Sequence, residues 1–296
     1  MKNVLITGAN SYIGTSFENY IEKYHSDELH IETVDMTDAN WENTDFSCYD
    51  AVFHVAGIAH SDSGKISAEK EKLYRSVNTE LTEQTALKAK KAGVKQFIFM
   101  SSVIIYGESA PVGKAKVITK DTAAAPINCY GDSKVQAEKR IMPLNDESFS
   151  VVVLRPPMIY GKNSKGNYPL LSKMARKLPF FPYVKNERSM LHIDNLCELI
   201  RLLINNNESG IFYPQNSEYV NTSDMVKMIS EANNHKIVMV PCNLLIKILG
   251  KFPGKIGSLT NKAFGNLVYD MSMSEYTINY RIRSLEESIR LTECEQ

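Results

Sequence analysis

The sequence has no excess of charge of either sign: 34 lysines and arginines are matched by 34 aspartates and glutamates. A nucleic-acid binder carries a basic footprint, so this balance argues against a nucleic-acid partner. There is no CxxC pair, because Cys48, Cys129, Cys197, Cys242 and Cys294 stand singly along the chain. An odd, dispersed set implies reduced thiols in the cytoplasm, with neither a disulfide framework nor a zinc site. No apolar run approaches a membrane span; "LCELIRLLI" and "NLLIKILG" are the longest. The N-terminal "MKNVLITGAN" lacks the apolar core and cleavage site of a signal peptide. Internal repeats and low-complexity tracts are also missing. What remains to expect is a cytoplasmic protein with no membrane span, no metal and no nucleic-acid partner.

Against these absences stands a regular alternation. Short β-rich runs, "NVLIT" (3–7), "HIETVD" (30–35), "DAVFHVA" (50–56), "QFIFMS" (96–101) and "SVVVLR" (150–155), are separated by amphipathic segments that read as helices over 12–24, 68–92 and 131–142. Strands alternating with helices imply an α/β fold, a doubly wound parallel sheet covered on both faces. After "LRPPMIYG" the texture changes to Pro-, Asn- and Lys-rich loops with shorter helices. The expected division is a dinucleotide-binding domain over 1–160 and a small, mainly substrate-binding α/β subdomain over 161–296, some of whose segments return to the first domain. In such a sheet the ligand crevice lies outside the carboxyl ends of the strands, so residues just after each strand carry the information.

"VLITGANSYIG" is a strand, a glycine turn and a helix start, with Gly8 and Gly14 as outer glycines. A helix N-terminus offers N–H groups and a positive dipole end to a pyrophosphate. The GxGxxG form is absent, and an ordinary strand-to-helix turn accounts for two glycines equally well. Asp35, after the second strand, is placed to accept from a ribose hydroxyl and to repel a 2′-phosphate, or is simply a solvated acid. In "CYGDSKVQAEKR", Tyr130 and Lys134 stand four apart and therefore share a helix face. A neighbouring ammonium favours phenolate, which would bring Tyr130 from its usual value of about 10 closer to physiological pH. That is general acid–base chemistry on an alcohol or carbonyl, with Ser102 donating to the same oxygen.

Together "ITGANSYIG", "DAVFHVAG", "YRSVNTELT", "FIFMSSVIIYGE", "YGDSK", "LRPPMIYG" and "RSMLHIDNL", in this order, resemble the extended short-chain dehydrogenase/reductase family, in its nucleotide-sugar epimerase/dehydratase branch. The resemblance implies a Rossmann-like fold and a catalytic set of Ser102, Tyr130 and Lys134. It implies NAD, with NADP as the variant, held by Gly8, Asn10, Ser11, Tyr12, Ile13, Gly14, Asp35, Met36, Val55, Ala56, Gly57, Asn78 and Pro156 beside Tyr130 and Lys134. It also implies a nucleotide-sugar substrate touched by Ser102, Tyr130, Asn167 and Arg188, with Arg188 on the diphosphate. Arg155 joins Pro156 in lining the crevice. The segment 68–92 and the helix after Tyr130 resemble the pair by which the family forms homodimers.

Several positions depart from the family pattern. Ser11 replaces the middle glycine, Met158 an asparagine, and Ala59 a lysine; one strand, not two, separates the first helix from "DAVFHVA", so Asp35 is either the ribose acid or, with Met36, a cover for the adenine. Dehydratases of this branch carry an Asp-Glu pair after the serine, where this chain has Val103 and Ile104, neither able to move a proton. The function expected is therefore an NAD-dependent 4-epimerase of a UDP-hexose or UDP-N-acetylhexosamine, working through a transient 4-keto sugar. The alternatives are an NAD(P)H-dependent 4-keto reductase of surface-polysaccharide synthesis and, in another class, a non-catalytic redox sensor, which has no need of a proton relay. Last, "PCNLLIKILGKFPGKIG" (241–257) mixes apolar residues with Lys247, Lys251 and Lys255. It reads either as a surface resting on a membrane or, preferably, as a core-facing helix with solvated lysines.

Overall fold

The computed structural model describes residues 1–58 and 66–294, so Ala59 lies outside the described residues. The chain forms two compact units, one of 1–107, 123–156 and 196–214, the other of 108–122, 157–195 and 215–296.

The first unit is built on a six-stranded sheet in the order Gly210–Phe212, Ser150–Leu154, Gln96–Met100, Ala51–His54, Lys2–Thr7, Leu29–Val34. Every pairing in it is parallel. Ala51–His54 and Gln96–Met100 are buried along their whole length, as expected of strands covered on both faces. Leu29–Val34, at the edge, is mostly open to solvent and buries only Leu29 fully. Phe53, Phe97 and Phe99 are fully buried, and such side chains each contribute about 1.5–3 kcal/mol of transfer free energy. The chain runs from Lys2–Thr7 outward to Leu29–Val34 and then back across to Ala51–His54. The order reverses there, which sets the switch-point crevice at the carboxyl ends of those strands.

Two features differ from the sequence expectations. The sixth strand, Gly210–Phe212, was not expected; the helix Ile193–Asn205 feeds it, and residues of that helix are tied into the unit. Tyr20 donates to Glu198 (3.0 Å), Arg201 binds Glu198 and Glu28, and Gln96 Nε2 donates to the carbonyls of Leu203 and Glu208 (2.9 and 2.8 Å). The segment 68–92 is not one α-helix: Ala68–Arg75 and Leu81–Lys91 are joined by a π-helical turn, Ser76–Glu80. As expected, a single strand separates the first helix, Tyr12–Tyr24, from Ala51–His54.

The second unit carries three two-stranded parallel pairs: Val117–Ile118 with Val268–Tyr269, Met158–Tyr160 with Met190–His192, and Phe180–Tyr183 with Val238–Pro241. Its core gathers Tyr160, Tyr168, Phe181, Met225 and Ile229. Tyr160 is held inside it by Ser288 (2.6 Å) and Asn216 (3.0 Å). The segment 241–257 faces the core as preferred above only in part, through Cys242, Ile246 and Leu249. It forms the helix Asn243–Leu249 and the start of the helix Lys255–Phe264, and it buries Ile246 while leaving Leu244, Leu245, Ile248, Phe252 and Ile256 exposed. No helix among the described residues is long and apolar enough to cross a membrane.

Candidate active site

The glycine turn is fixed by close approach. Gly8 sits at φ +124°, and a Cβ there would lie 2.6 Å from the Ala56 nitrogen. Its N–H donates to Val34 O (3.0 Å), while Val55 and Ala56 N–H both donate to Thr7 O. Gly8, Asp35 and Val55–Gly57 are thereby brought to one place at the switch point. Asn10 takes the left-handed conformation (φ 59°) and leads to Ser11, which caps the helix by accepting from Gly14 N–H at 3.1 Å. Serine in the middle-glycine position thus satisfies one of the first-turn donors itself. Tyr12 and Ile13 form the first turn. Asp35 is exposed, and its carboxylate accepts from the Thr37 backbone N–H (2.8 Å) and hydroxyl (2.7 Å), which hold it below the usual range. Met36 beside it is half-buried.

Asn78 lies on the π-helical turn and is fully buried. Its amide oxygen accepts from Ile58 N–H (2.8 Å), and its nitrogen donates to Ile58 O (3.2 Å) and Ser133 Oγ (3.0 Å). It therefore brackets the exit of the third strand against the helix Cys129–Ile141. A Cβ on Gly57 would lie 3.0 Å from the Asn78 oxygen and 3.5 Å from Lys134 Nζ. Beneath this, the hydroxyl of Thr82 donates to Asn78 O, so it accepts from His54 Nε2–H, and Thr7 donates to His54 Nδ1. Burial, and then the Lys134 charge, lower the His54 pKa to about 3 and keep the ring neutral.

The helix Cys129–Ile141 begins at Asn128, whose side chain accepts from Gly131 N–H (2.8 Å). Its residues 130, 134 and 138 meet three consecutive residues at the end of the strand Gln96–Met100. Tyr130 is hydrogen-bonded to Ser102; Lys134 Nζ donates to Met100 O (2.8 Å) and lies over the Phe99 ring; Ser101 donates to Glu138. The Tyr130–Lys134 relation differs from the sequence expectation. Burial pushes the Tyr130 phenol up to about 12, with the Ser102 bond pulling the other way and Tyr74 adding to the rise. Burial lowers Lys134 to about 8 against the opposing pull of Glu138. Desolvation therefore prevails at both groups over the phenolate stabilisation expected from the sequence.

Glu138 was missed from the sequence, although it continues the same face one turn beyond Lys134. Arg155 grips it through Nε (3.2 Å) and Nη2 (2.5 Å), and also donates to the hydroxyls of Tyr106 (2.6 Å) and Tyr213 (3.2 Å). Burial works against the Arg155 charge, and the Glu138 carboxylate more than offsets it. Pro156, next along, is buried and accepts Val103 N–H at 2.9 Å, bracing the turn that follows Ser102. Val103–Tyr106 forms a 3₁₀ turn capped by Ser102.

The second unit places Arg188 half-buried, its Nη1 donating to Lys262 O (2.9 Å), Gly265 O (3.2 Å) and Ser109 Oγ (3.4 Å). Burial lowers its pKa, and no carboxylate pairs with it among the described residues. Asn167 is exposed at the start of the helix Tyr168–Lys177 and makes no capping bond. Met158 opens the strand Met158–Tyr160 of that unit. No cluster of metal-ligating side chains occurs among the described residues.

A family model described as the NAD dependent epimerase/dehydratase family matches residues 4–213. A UDP-glucose 4-epimerase of Vibrio cholerae is 32% identical over 98% of this chain and 94% of its own length. An N-acetyl-α-D-glucosaminyl-diphospho-ditrans,octacis-undecaprenol 4-epimerase of Escherichia coli O157:H7 is 26% identical over 86% of this chain and 81% of its own. Among solved structures, a dTDP-4-dehydrorhamnose reductase of Bacillus anthracis, in complex with NADP, superposes with a TM-score of 0.70 at 17% identity, covering 99% of this chain and 98% of that one. At that identity the match speaks to the fold alone.

Proposed function

This chain belongs to the NAD dependent epimerase/dehydratase family, and from that premise we propose that it is an NAD-dependent 4-epimerase of a UDP-hexose or UDP-N-acetylhexosamine. The observation that carries the proposal is the alignment of Tyr130 on Ser102 and of Lys134 on Met100 O at the end of one strand. Family membership sets aside the redox-sensor alternative.

Gly8, Asn10, Ser11, Tyr12, Ile13 and Gly14 would hold the pyrophosphate, Asp35 and Met36 the adenosine end, and Val55–Gly57, Asn78 and Pro156 the remainder. The fit rests on the close approach at Gly8, which leaves room for backbone but not for a side chain. NAD held by these residues would supply hydride acceptance from, and return to, C4 of the sugar. Tyr130 takes the proton of the C4 hydroxyl as the ketone forms and gives it back when the alcohol is restored. Ser102 holds the phenolic oxygen in line. Lys134 has two donors beyond the one on Met100 O, and its charge lowers the cost of the phenolate stage. Arg188, desolvated and without a carboxylate, would take the substrate diphosphate, with Asn167 touching the sugar nucleotide. The UDP-glucose named for the Vibrio relative supports that substrate class. A Tyr130 pushed up to about 12 rests protonated at neutral pH, the state from which a ketone is reduced, which also suits the second reading, a 4-keto reductase.

A cytoplasmic homodimer is part of the proposal, paired through Ala68–Arg75, Leu81–Lys91 and Cys129–Ile141. The exposed Leu73 and Leu87 support that face. The function is tested by incubating the enzyme with UDP-glucose, UDP-galactose and their N-acetyl forms without added NAD(P)H, following C4 configuration by NMR. Interconversion is expected. Its absence for all four, with stoichiometric NAD(P)H oxidation on a 4-keto sugar nucleotide, would select the reductase.

A further inference from the structure

The second unit presents an apolar, purely cationic face with no counterpart in the catalytic chemistry. Between Glu231 and Asp270 the chain carries five lysines, Lys236, Lys247, Lys251, Lys255 and Lys262, and no acidic residue. The same stretch holds Leu244 (73% exposed) and Leu259 (65%), along with exposed Leu245, Ile248, Phe252 and Ile256. Val238 and, directly opposite it in the strand pair, Phe180 are equally bare.

The exposure is built into a rigid element. The helices Asn243–Leu249 and Lys255–Phe264 pack on each other. Asn261 joins them, its nitrogen donating to Gly250 O (2.8 Å) and its oxygen accepting Val112 N–H (3.0 Å). The turn between them needs Gly254 at φ +77° and Gly257, where a Cβ would lie 2.0 Å from Phe252 O. Ile246 and Phe264 anchor the pair in the core. With the backbone held this way, the remaining leucines, isoleucines and Phe252 cannot all turn inward.

We infer that this helical pair is a docking surface for an anionic phospholipid bilayer, its apolar side chains entering the headgroup boundary while the lysines meet lipid phosphates. Clustered large apolar side chains on a surface mark a partner. Charge decides which partner. A second copy meeting this face about a two-fold axis would set lysines against lysines, and the segment has no carboxylate to relieve them. An anionic leaflet satisfies both halves of the surface, because apolar burial and lysine attraction act in the same direction there.

The test is flotation of the full chain with vesicles of phosphatidylcholine alone or of an equal mixture with phosphatidylglycerol, which requires no turnover and so stands or falls apart from the epimerase reading. The protein is expected to float with the mixed vesicles and to be released by high salt. Leu244→Ser/Ile248→Ser/Leu259→Ser should weaken binding at least about tenfold. Lys247→Glu/Lys251→Glu/Lys255→Glu should weaken it on the order of 10²-fold. Both variants change exposed side chains and should keep the wild-type dinucleotide affinity. No flotation with mixed vesicles, or equal flotation with both kinds, overturns the inference. So does sedimentation showing a dimer that the serine variant breaks without any vesicle binding.

Discussion

Replacing Glu138 by glutamine removes one buried charge while keeping the side chain's shape. The Glu138 and Arg155 side chains are 7% and 13% exposed, so water supplies little replacement for the lost partner. Breaking such a pair from one side costs about 3–5 kcal/mol. The glutamine oxygen can keep one guanidinium bond and face Ser101, which places the expected loss near 3 kcal/mol. Urea unfolding at pH 7 followed by circular dichroism measures it. In the Glu138→Gln/Arg155→Met double variant the loss should be smaller than the sum of the singles, since no charge is left stranded. A loss under about 1 kcal/mol, the range of exposed pairs, would refute the buried cluster. The same variant reports on Lys134, whose pKa stands at about 8, below its usual 10.5, with Glu138 pulling it up. Because the folded value is depressed, the Lys134 charge costs stability below about 8, and the cost is relieved as pH rises toward 10.5. Without Glu138 the folded pKa falls further, so the alkaline limb of the pH–rate profile should move to lower pH. An unmoved limb would refute the coupling.

Tyr130→Phe keeps the ring and removes the proton carrier, so turnover should fall about 10²–10⁴-fold with dinucleotide affinity retained, as single-turnover assays and a titration would check. Gly8→Ala forces a Cβ against the Ala56 nitrogen at a positive φ, which should cost about 2–4 kcal/mol in thermal melts and abolish NAD binding by calorimetry. Arg188→Met should raise the KM for a sugar nucleotide by on the order of 10²-fold with the NAD affinity unchanged, because the lost bonds are charge-assisted ones to a diphosphate.

The sheet was legible in the sequence because its buried strands are continuous β-branched and aromatic runs, and the strand-end positions of Gly8 and Ser102 followed from it. Gly210–Phe212 escaped notice because three residues carry no periodicity; its place is set by hydrogen bonds to Ser150–Leu154. The π-helical turn at Ser76–Glu80 was equally invisible, since one widened turn leaves the apolar spacing of 68–92 almost unchanged. Spacing put Tyr130 and Lys134 on one face but said nothing of depth, and depth is what turned the tyrosine's pKa upward. Glu138 was on that face too; its meaning came only from Arg155, seventeen residues on and beside it in space. The 241–257 helices show the limit of amphipathic patterning, because Ile246 and Leu249 reach the core while the other apolar side chains are left exposed.

The central claim is that one hydride leaves C4 and returns to it with no net consumption of NAD(P)H. A sugar nucleotide deuterated at C4, incubated with the enzyme and no added NAD(P)H, tests it directly by NMR and mass spectrometry. The account predicts the C4 epimer with deuterium fully retained at C4 and none in solvent. No epimer, or an epimer formed with deuterium washed out to water, would contradict it.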